Sequence, residues 1–254
     1  MFYFENLDGK KILKSDYIKE ANAFFTTRDI CICDKNMPPY GTIENSEETK
    51  QILENKKLIC NYLKIEERNF LSPMQTHSEN IALARKDVLE YPDTDALILI
   101  DKSLGIFLNF ADCTPIILYD EKQNTGAVAH AGWRGTAQKI AVKTVWEMAK
   151  KYGSKPEDII AVIGPAIGFC CYNVGQEVYE QLSVTVSVFD KLFEIRQGNI
   201  YIDLKNINRQ QLVEAGVKKI DVCPYCTIHN NDYFFSYRNE NKTTKRHSAV
   251  LCLK

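Results

Sequence analysis

No apolar run in this chain of 254 residues approaches the roughly 18 that a membrane-spanning helix requires, so no bilayer association is expected. The opening segment, Met1 to Lys11, has neither the basic start nor the apolar core of a secretory signal, and the expected compartment is the cytoplasm. Charge of one sign is also missing. The 32 Lys and Arg residues against 33 Asp and Glu leave a net charge of -1, with no basic excess to draw in nucleic acid. Long Pro-, Gly- or Ser-rich linkers, internal repeats and low-complexity tracts are absent, which leaves one domain over residues 1–254. Such a length buries most of its unfolded surface without staples. Nine cysteines, an odd number scattered along the chain, fit free thiols and metal ligands better than a disulfide framework.

What is present reads as α+β. The segment 46–64 spaces Ile52, Leu53, Ile59, Tyr62 and Leu63 at a helical period among charges, predicting an amphipathic helix on the outside of a sheet. Short apolar runs at 96–100, 105–108, 115–119 and 126–129, each bounded by Asp, Lys, Asn or Gly, predict buried strands. The last two flank a turn-prone stretch and are expected as antiparallel neighbours. Helices are expected near 136–151, 175–182 and 205–214, the last capped by Asp203. Runs of strands and helices replace strict βαβ alternation.

His130-Ala-Gly-Trp-Arg-Gly135 is the most informative stretch, because it joins a strand end to a helix start and its glycines admit a ligand close to the backbone. Only four histidines exist: His77, His130, His229 and His247. If their segments meet, His77, Cys113 and His130 form two imidazoles and a thiolate, donors that suit zinc or copper. Three protein ligands leave one position open, and separations of 36 and 17 positions are those of ligands drawn from different segments. Without a metal, Cys113 beside His130 reads as a nucleophile. Asp112 and Asp95 are the carboxylates available to move protons, or else a turn residue and a strand cap. Arg134 is the leading phosphate candidate at a helix start, its other reading being an ion pair with Asp112, and Arg238 is the second cation.

Other motifs leave open choices. His77-Ser-Glu79 and Cys223-Pro-Tyr-Cys226 imitate the elements of zinc nucleobase deaminases, but 144 positions separate Glu79 from Cys223 and no Pro precedes that cysteine. The two cysteines read as a redox pair, accessory ligands or packed thiols. Phe234-Phe-Ser-Tyr237 and Gly168-Phe-Cys-Cys-Tyr172 offer either aromatic faces for a purine or core residues.

Taken in order, Gln75-x-His77, Ala111-Asp-Cys-x-Pro115, Ala129-His-Ala-Gly-Trp-Arg-Gly135, Ile163-Gly-Pro-x-Ile167, Cys226-Thr227 and Phe234-Phe-Ser-Tyr-Arg238 resemble the YfiH-like family, also called laccase-domain proteins or polyphenol oxidases. The resemblance covers residues 70–254. It implies mixed sheets stacked in the centre with helices outside, and zinc held by His77, Cys113 and His130. It also implies a purine nucleoside phosphorylase with adenosine deamination as a second activity, acting on adenosine, inosine and the methylthio analogue. Phosphorolysis must hold phosphate against an oxocarbenium-like ribose while the base departs. Arg134, Arg238 and Gln75 are therefore the expected substrate contacts, with Cys113, Asp112 and Arg134 as the expected catalytic residues. The chain has Ser78 where the family has Gly, and Thr243-Thr-Lys-Arg246 where the family has Thr-Gly-Arg, which leaves Arg246 without a clean counterpart. Two other readings stand beside this one. A copper-dependent polyphenol oxidase would need several copper centres and more than four histidines; a non-catalytic metal-binding domain would use its metal for structure.

Overall fold

Short apolar runs with no polar face satisfy their backbone groups in sheets covered on both sides. The computed structural model describes residues 1–35 and 46–254, and its middle strands have this character. The chain begins with β1 (Phe2–Leu7), β2 (Lys10–Ser15), β3 (Ala21–Thr26), β4 (Cys33–Asp34), α1 (Glu47–Leu63), β5 (Phe70–Leu71) and β6 (Ile81–Leu83). It continues through β7 (Ala96–Leu99), β8 (Gly105–Phe110), β9 (Thr114–Asp120), β10 (Thr125–Ala131), α2 (Trp133–Ala137), α3 (Ile140–Tyr152) and β11 (Ile160–Ile163). Then come β12 (Asn173–Val174), α4 (Gln176–Ser183), β13 (Phe193–Arg196), β14 (Asn199–Ile202), α5 (Leu204–Glu214), β15 (Lys219–Val222) and β16 (Lys245–Leu253). No helix of the described residues is long and apolar enough to cross a membrane.

Two mixed sheets stack at the centre. One runs β1-β2-β3-β16-β8-β5 with β4 also on β16, and the other runs β15-β11-β9-β10-β7-β6. Period-two alternation divides each buried strand between two cores. Leu97, Leu99, Val128 and Leu251 fill the space between the sheets. Ala96, Ile98, Ala127 and Ala129 face Ile140, Val145 and Met148 of α3. Val250 and Cys252 face Ile59 and Leu63 of α1. The result is four layers, helix, sheet, sheet and helix, as the α+β reading and the family resemblance imply.

The expected antiparallel pair is β9 with β10, in register from Thr125 opposite Asp120 to Ala131 opposite Thr114. Ser46 caps α1 through its hydroxyl, and Asp203 caps α5 by accepting from the Asn206 N–H at 3.1 Å. One expectation is corrected: the helix expected near 136–151 is broken into α2 and α3 at Lys139, whose backbone is left-handed with φ 59. The cause lies on α5. The Thr136 carbonyl, which a continuous helix would offer to Ile140, accepts instead from Gln211 Nε2 and from the Lys139 N–H, both at 3.0 Å. Asn208 Nδ2 also donates to the Thr136 hydroxyl at 2.9 Å.

Candidate functional site

The first ligand candidate sits on a constrained loop. His77 lies between β5 and β6 in a left-handed conformation, φ 67, which histidine tolerates better than branched residues do. Buried Asp95 holds that loop: its Oδ2 accepts from the Thr76 N–H at 3.1 Å, the Ser78 N–H at 2.7 Å and the Ser78 hydroxyl at 2.8 Å. Its Oδ1 meets Nδ1 of His130 at 2.7 Å. The Ser78 that departs from the family pattern therefore adds a hydroxyl donor to this carboxylate.

His130 is the next-to-last residue of β10, and Cys113 stands just before β9, so the ladder between these strands brings them together. Cys113 Sγ is 3.7 Å from His77 Nε2, the two imidazole centroids are 4.8 Å apart, and the three donor atoms lie within 4.8 Å of one another. Gly132 completes the fit. A Cβ there would stand 3.0 Å from both Cys113 Sγ and His77 Cδ2, so any side chain would push on two donors.

Burial opposes a charged Cys113, but the His130 and His77 rings outweigh it and lower the thiol pKa to about 6. Burial likewise opposes a charged His130, and the Cys113 thiolate together with Asp95 raises its pKa to about 9. Asp95, despite its burial, is held down to about 2 by His130 and Ser78. The metal-free site is a thiolate–imidazolium pair braced by a carboxylate. A thiolate and two imidazoles around one point, one imidazole bonded behind to a carboxylate, is the donor chemistry of a metal site with one position left for substrate.

The donors floor a cavity of about 290 Å³ that is also lined by Lys35, Gln75, Asn109, Tyr237 and Arg246. The sequence reading missed Lys35 as a site residue, while Tyr237 belongs to the aromatic run it offered for the base. Lys35 precedes the first of the three candidate ligands, His77, by some forty positions, and no local pattern marks it. Arg246 is buried beside Cys33, its Nη1 donating to the carbonyls of Thr243 and Lys245.

The remaining candidates occupy distinct places. Gln75 closes its amide onto the Asn109 backbone, donating to its carbonyl at 2.9 Å and accepting from its N–H at 2.8 Å. Asp112 accepts from the Thr227 hydroxyl at 2.6 Å and the Arg238 N–H at 2.7 Å, tying two segments to the turn that carries Cys113. Arg134 is exposed over the Trp133 ring at 4.2 Å, and among the described residues no carboxylate pairs with it. Arg238 donates to Asn173 Oδ1 at 2.8 Å and stands beside Tyr172. Glu79 pairs with Lys143 of α3, which draws the deaminase-like motif away from His77. Phe234 is fully buried core, whereas Tyr237 of the same run reaches the cavity. Cys223 is buried in the inter-sheet core, where burial pushes its thiol up to about 12.

Comparison with known proteins gives the same grouping. A family model described as multi-copper polyphenol oxidoreductase laccase matches residues 22–254. A Bacillus subtilis protein called purine nucleoside phosphorylase YlmD is 29% identical over 249 residues, covering 93% of this chain and 90% of its own length. Another, called adenosine deaminase RL5, from an unknown prokaryotic organism, is 32% identical over 206 residues, covering 76% and 78%. The crystal structure of the hypothetical protein YfiH of Bacillus licheniformis superimposes with a TM-score of 0.84 at 32% identity, covering 99% of both chains. With its sequence motifs, its stacked sheets and its His-Cys-His cluster in agreement, this chain belongs to the laccase-domain, or YfiH-like, family.

Proposed function

We propose that this protein is a zinc-dependent purine nucleoside phosphorylase of the cytoplasm, with residues 1–254 acting as one catalytic domain. It cleaves adenosine, inosine and the methylthio analogue with phosphate to free base and the corresponding ribose 1-phosphate, and it deaminates adenosine as a second activity. The observation that carries this reading is the convergence of His77, Cys113 and His130 at the floor of a cavity whose wall holds Lys35 and Arg246. Relatives called purine nucleoside phosphorylase and adenosine deaminase support the substrate class.

His77, Cys113 and His130 would hold the zinc, which when bound supplies Lewis acidity to an electronegative substrate atom. Asp95 keeps a proton on Nδ1 of His130 and so turns Nε2 toward Cys113. Lys35 and Arg246 neutralise phosphate and orient it for attack on the ribose carbon. Arg238, beside Tyr172, and the exposed Arg134 over Trp133 are further cations for the anion or the ribose. Tyr237 offers an aromatic face to the base. In this reading Asp112 and Asp95 are positioning residues, because their oxygens already accept bonds that hold the frame.

Copper is the alternative metal, and two imidazoles with a thiolate also suit a blue-copper centre. Such centres add a weak axial ligand, methionine, glutamine or a backbone oxygen; no methionine is among the described residues lining this cavity, and the Gln75 amide is closed onto the Asn109 backbone. Zinc is therefore the metal of this proposal. Incubating the purified protein with adenosine, with and without phosphate, tests the function. Adenine and ribose 1-phosphate are expected with phosphate, and inosine in both mixtures; the absence of all three would overturn the reading.

A further inference from the structure

A second group of donors lies away from the cavity. Cys170, Cys171, Cys226 and His229 place three thiols and an imidazole within 4.8 Å of one another. The His229 ring stands between two thiols, with Nδ1 3.5 Å from Cys170 Sγ and Nε2 3.4 Å from Cys171 Sγ. Tetrahedral zinc with bonds of about 2.3 Å to sulfur and about 2.0 Å to nitrogen sets S···N separations near 3.5 Å. The two nitrogens face opposite sides of the ring, so one of them ligates; either contact, Nδ1 to Cys170 or Nε2 to Cys171, stands at that spacing, and all four donors lie within 4.8 Å of one another.

The surroundings are built for sulfur. The Gly168 N–H points at Cys226 Sγ at 3.2 Å, and the N–H groups of Ile228 and His229 are directed at the same atom. Backbone donors gathered on one sulfur keep it in the role of acceptor, as a ligand sulfur requires. A Cβ at Gly168 would lie 3.0 Å from Cys170 Sγ and from Cys226 Cβ, so the glycine leaves room for the thiols to converge. Arg196, whose Nε and Nη2 pair with Glu194, donates through Nη1 to the carbonyls of Phe169 and Cys170 and so braces the turn that carries the two thiols.

We propose that Cys170, Cys171, Cys226 and His229 form a closed, four-ligand zinc site that staples the 168–171 turn to the 226–229 turn. A β-bridge between Ala166 and Cys226, outside the named strands, and the Gly168 N–H to Cys226 Sγ bond join these segments, and a metal adds cross-linking to them. The staple also backs the cavity. Thr227, next to Cys226, bonds Asp112 beside Cys113, and Asn173, two residues past Cys171, accepts from Arg238. This site is independent of the nucleoside chemistry and stands whether or not that reading does. It also separates the Cys223-x-x-Cys226 pair: Cys223 points into the core while Cys226 joins partners more than fifty positions upstream.

The test counts zinc per chain on the purified full-length protein after zinc loading and dialysis. Two equivalents are expected in the wild type, one in His77→Ala/His130→Ala, and one in Cys170→Ser/Cys171→Ser. Cobalt added to His77→Ala/His130→Ala is expected to give the intense visible and thiolate charge-transfer absorption of a sulfur-rich tetrahedral site. Because the cysteine variant can fail to fold, alkylation of the wild type followed by peptide mapping is the second readout. Zinc is expected to protect Cys170, Cys171 and Cys226, and a chelator to expose them. Saturation of the wild type at one equivalent, a second equivalent that persists without Cys170 and Cys171, or alkylation indifferent to zinc would each overturn the proposal.

Discussion

The Asp95 carboxylate joins two ligand-bearing segments at once, meeting His130 Nδ1 at 2.7 Å with one oxygen and the Ser78 N–H at 2.7 Å with the other. One fully buried side chain thus sets the direction of the His130 ring and the position of the loop that carries His77.

Asp95→Asn is expected to weaken zinc binding at the His-Cys-His site by roughly 10- to 100-fold, the usual cost of removing a carboxylate behind a metal-bound histidine. Ser78→Ala removes one hydroxyl donor and leaves the His130 contact, so its effect should be smaller. Competition with a zinc-sensitive dye measures both, and equal losses in the two variants would contradict the assignment.

Zinc affinity should depend on pH in a defined window. In the metal-free site Cys113 loses its proton near pH 6, while His130 keeps its own until about pH 9. Binding between these values must displace the His130 proton, so affinity should rise about tenfold per pH unit from 6 to 9 and level off above. Calorimetry in buffers of different ionisation enthalpy counts that proton; release of none would sink the prediction.

Lys35→Gln should raise the KM for phosphate by about tenfold or more, since a charge-assisted bond contributes about 1.5–3 kcal/mol, while the KM for the nucleoside moves less. A matching rise in both constants would point to general distortion of the cavity.

Gly132→Ala should lower metal content without unfolding the protein, because the added methyl group meets Cys113 Sγ and His77 Cδ2 at 3.0 Å. Zinc analysis alongside circular dichroism separates the two effects. Full zinc occupancy in the variant would show that the site adjusts more freely than the contacts suggest.

His247 should account for part of the acid sensitivity. Burial between Phe110 and Phe234 lowers its pKa to about 3, against about 6.5 when unfolded. From pH 6.5 down to 3 the unfolded chain takes up a proton that the folded chain refuses, so stability falls by up to about 1.4 kcal/mol per unit. Denaturant unfolding at several pH values should show a shallower slope for His247→Leu.

Much of the scaffold was legible in the sequence because the middle strands are buried on both faces and read as unbroken apolar runs between turn residues. Helix α1 showed its period, and Asp203, expected as the cap of α5, acts through a purely local bond. The break at Lys139 was not legible, since the bonds that cause it come from Gln211 and Asn208 some seventy positions away.

The same division runs through the candidate sites. His77, Cys113 and His130 were named from residue type and family motif, and a donor's chemistry belongs to the residue itself. Whether donors meet depends on strand pairing, which places His130 opposite Pro115 and so beside Cys113. Lys35 and Arg246 reach the cavity only because β4 pairs with β16, and Cys226 leaves its neighbour Cys223 for Cys170 and Cys171 only because two turns cross. Sequence determines which side chains are able to bind a metal or an anion; proximity across the chain is created by the sheets, whose long-range hydrogen bonds no local pattern encodes.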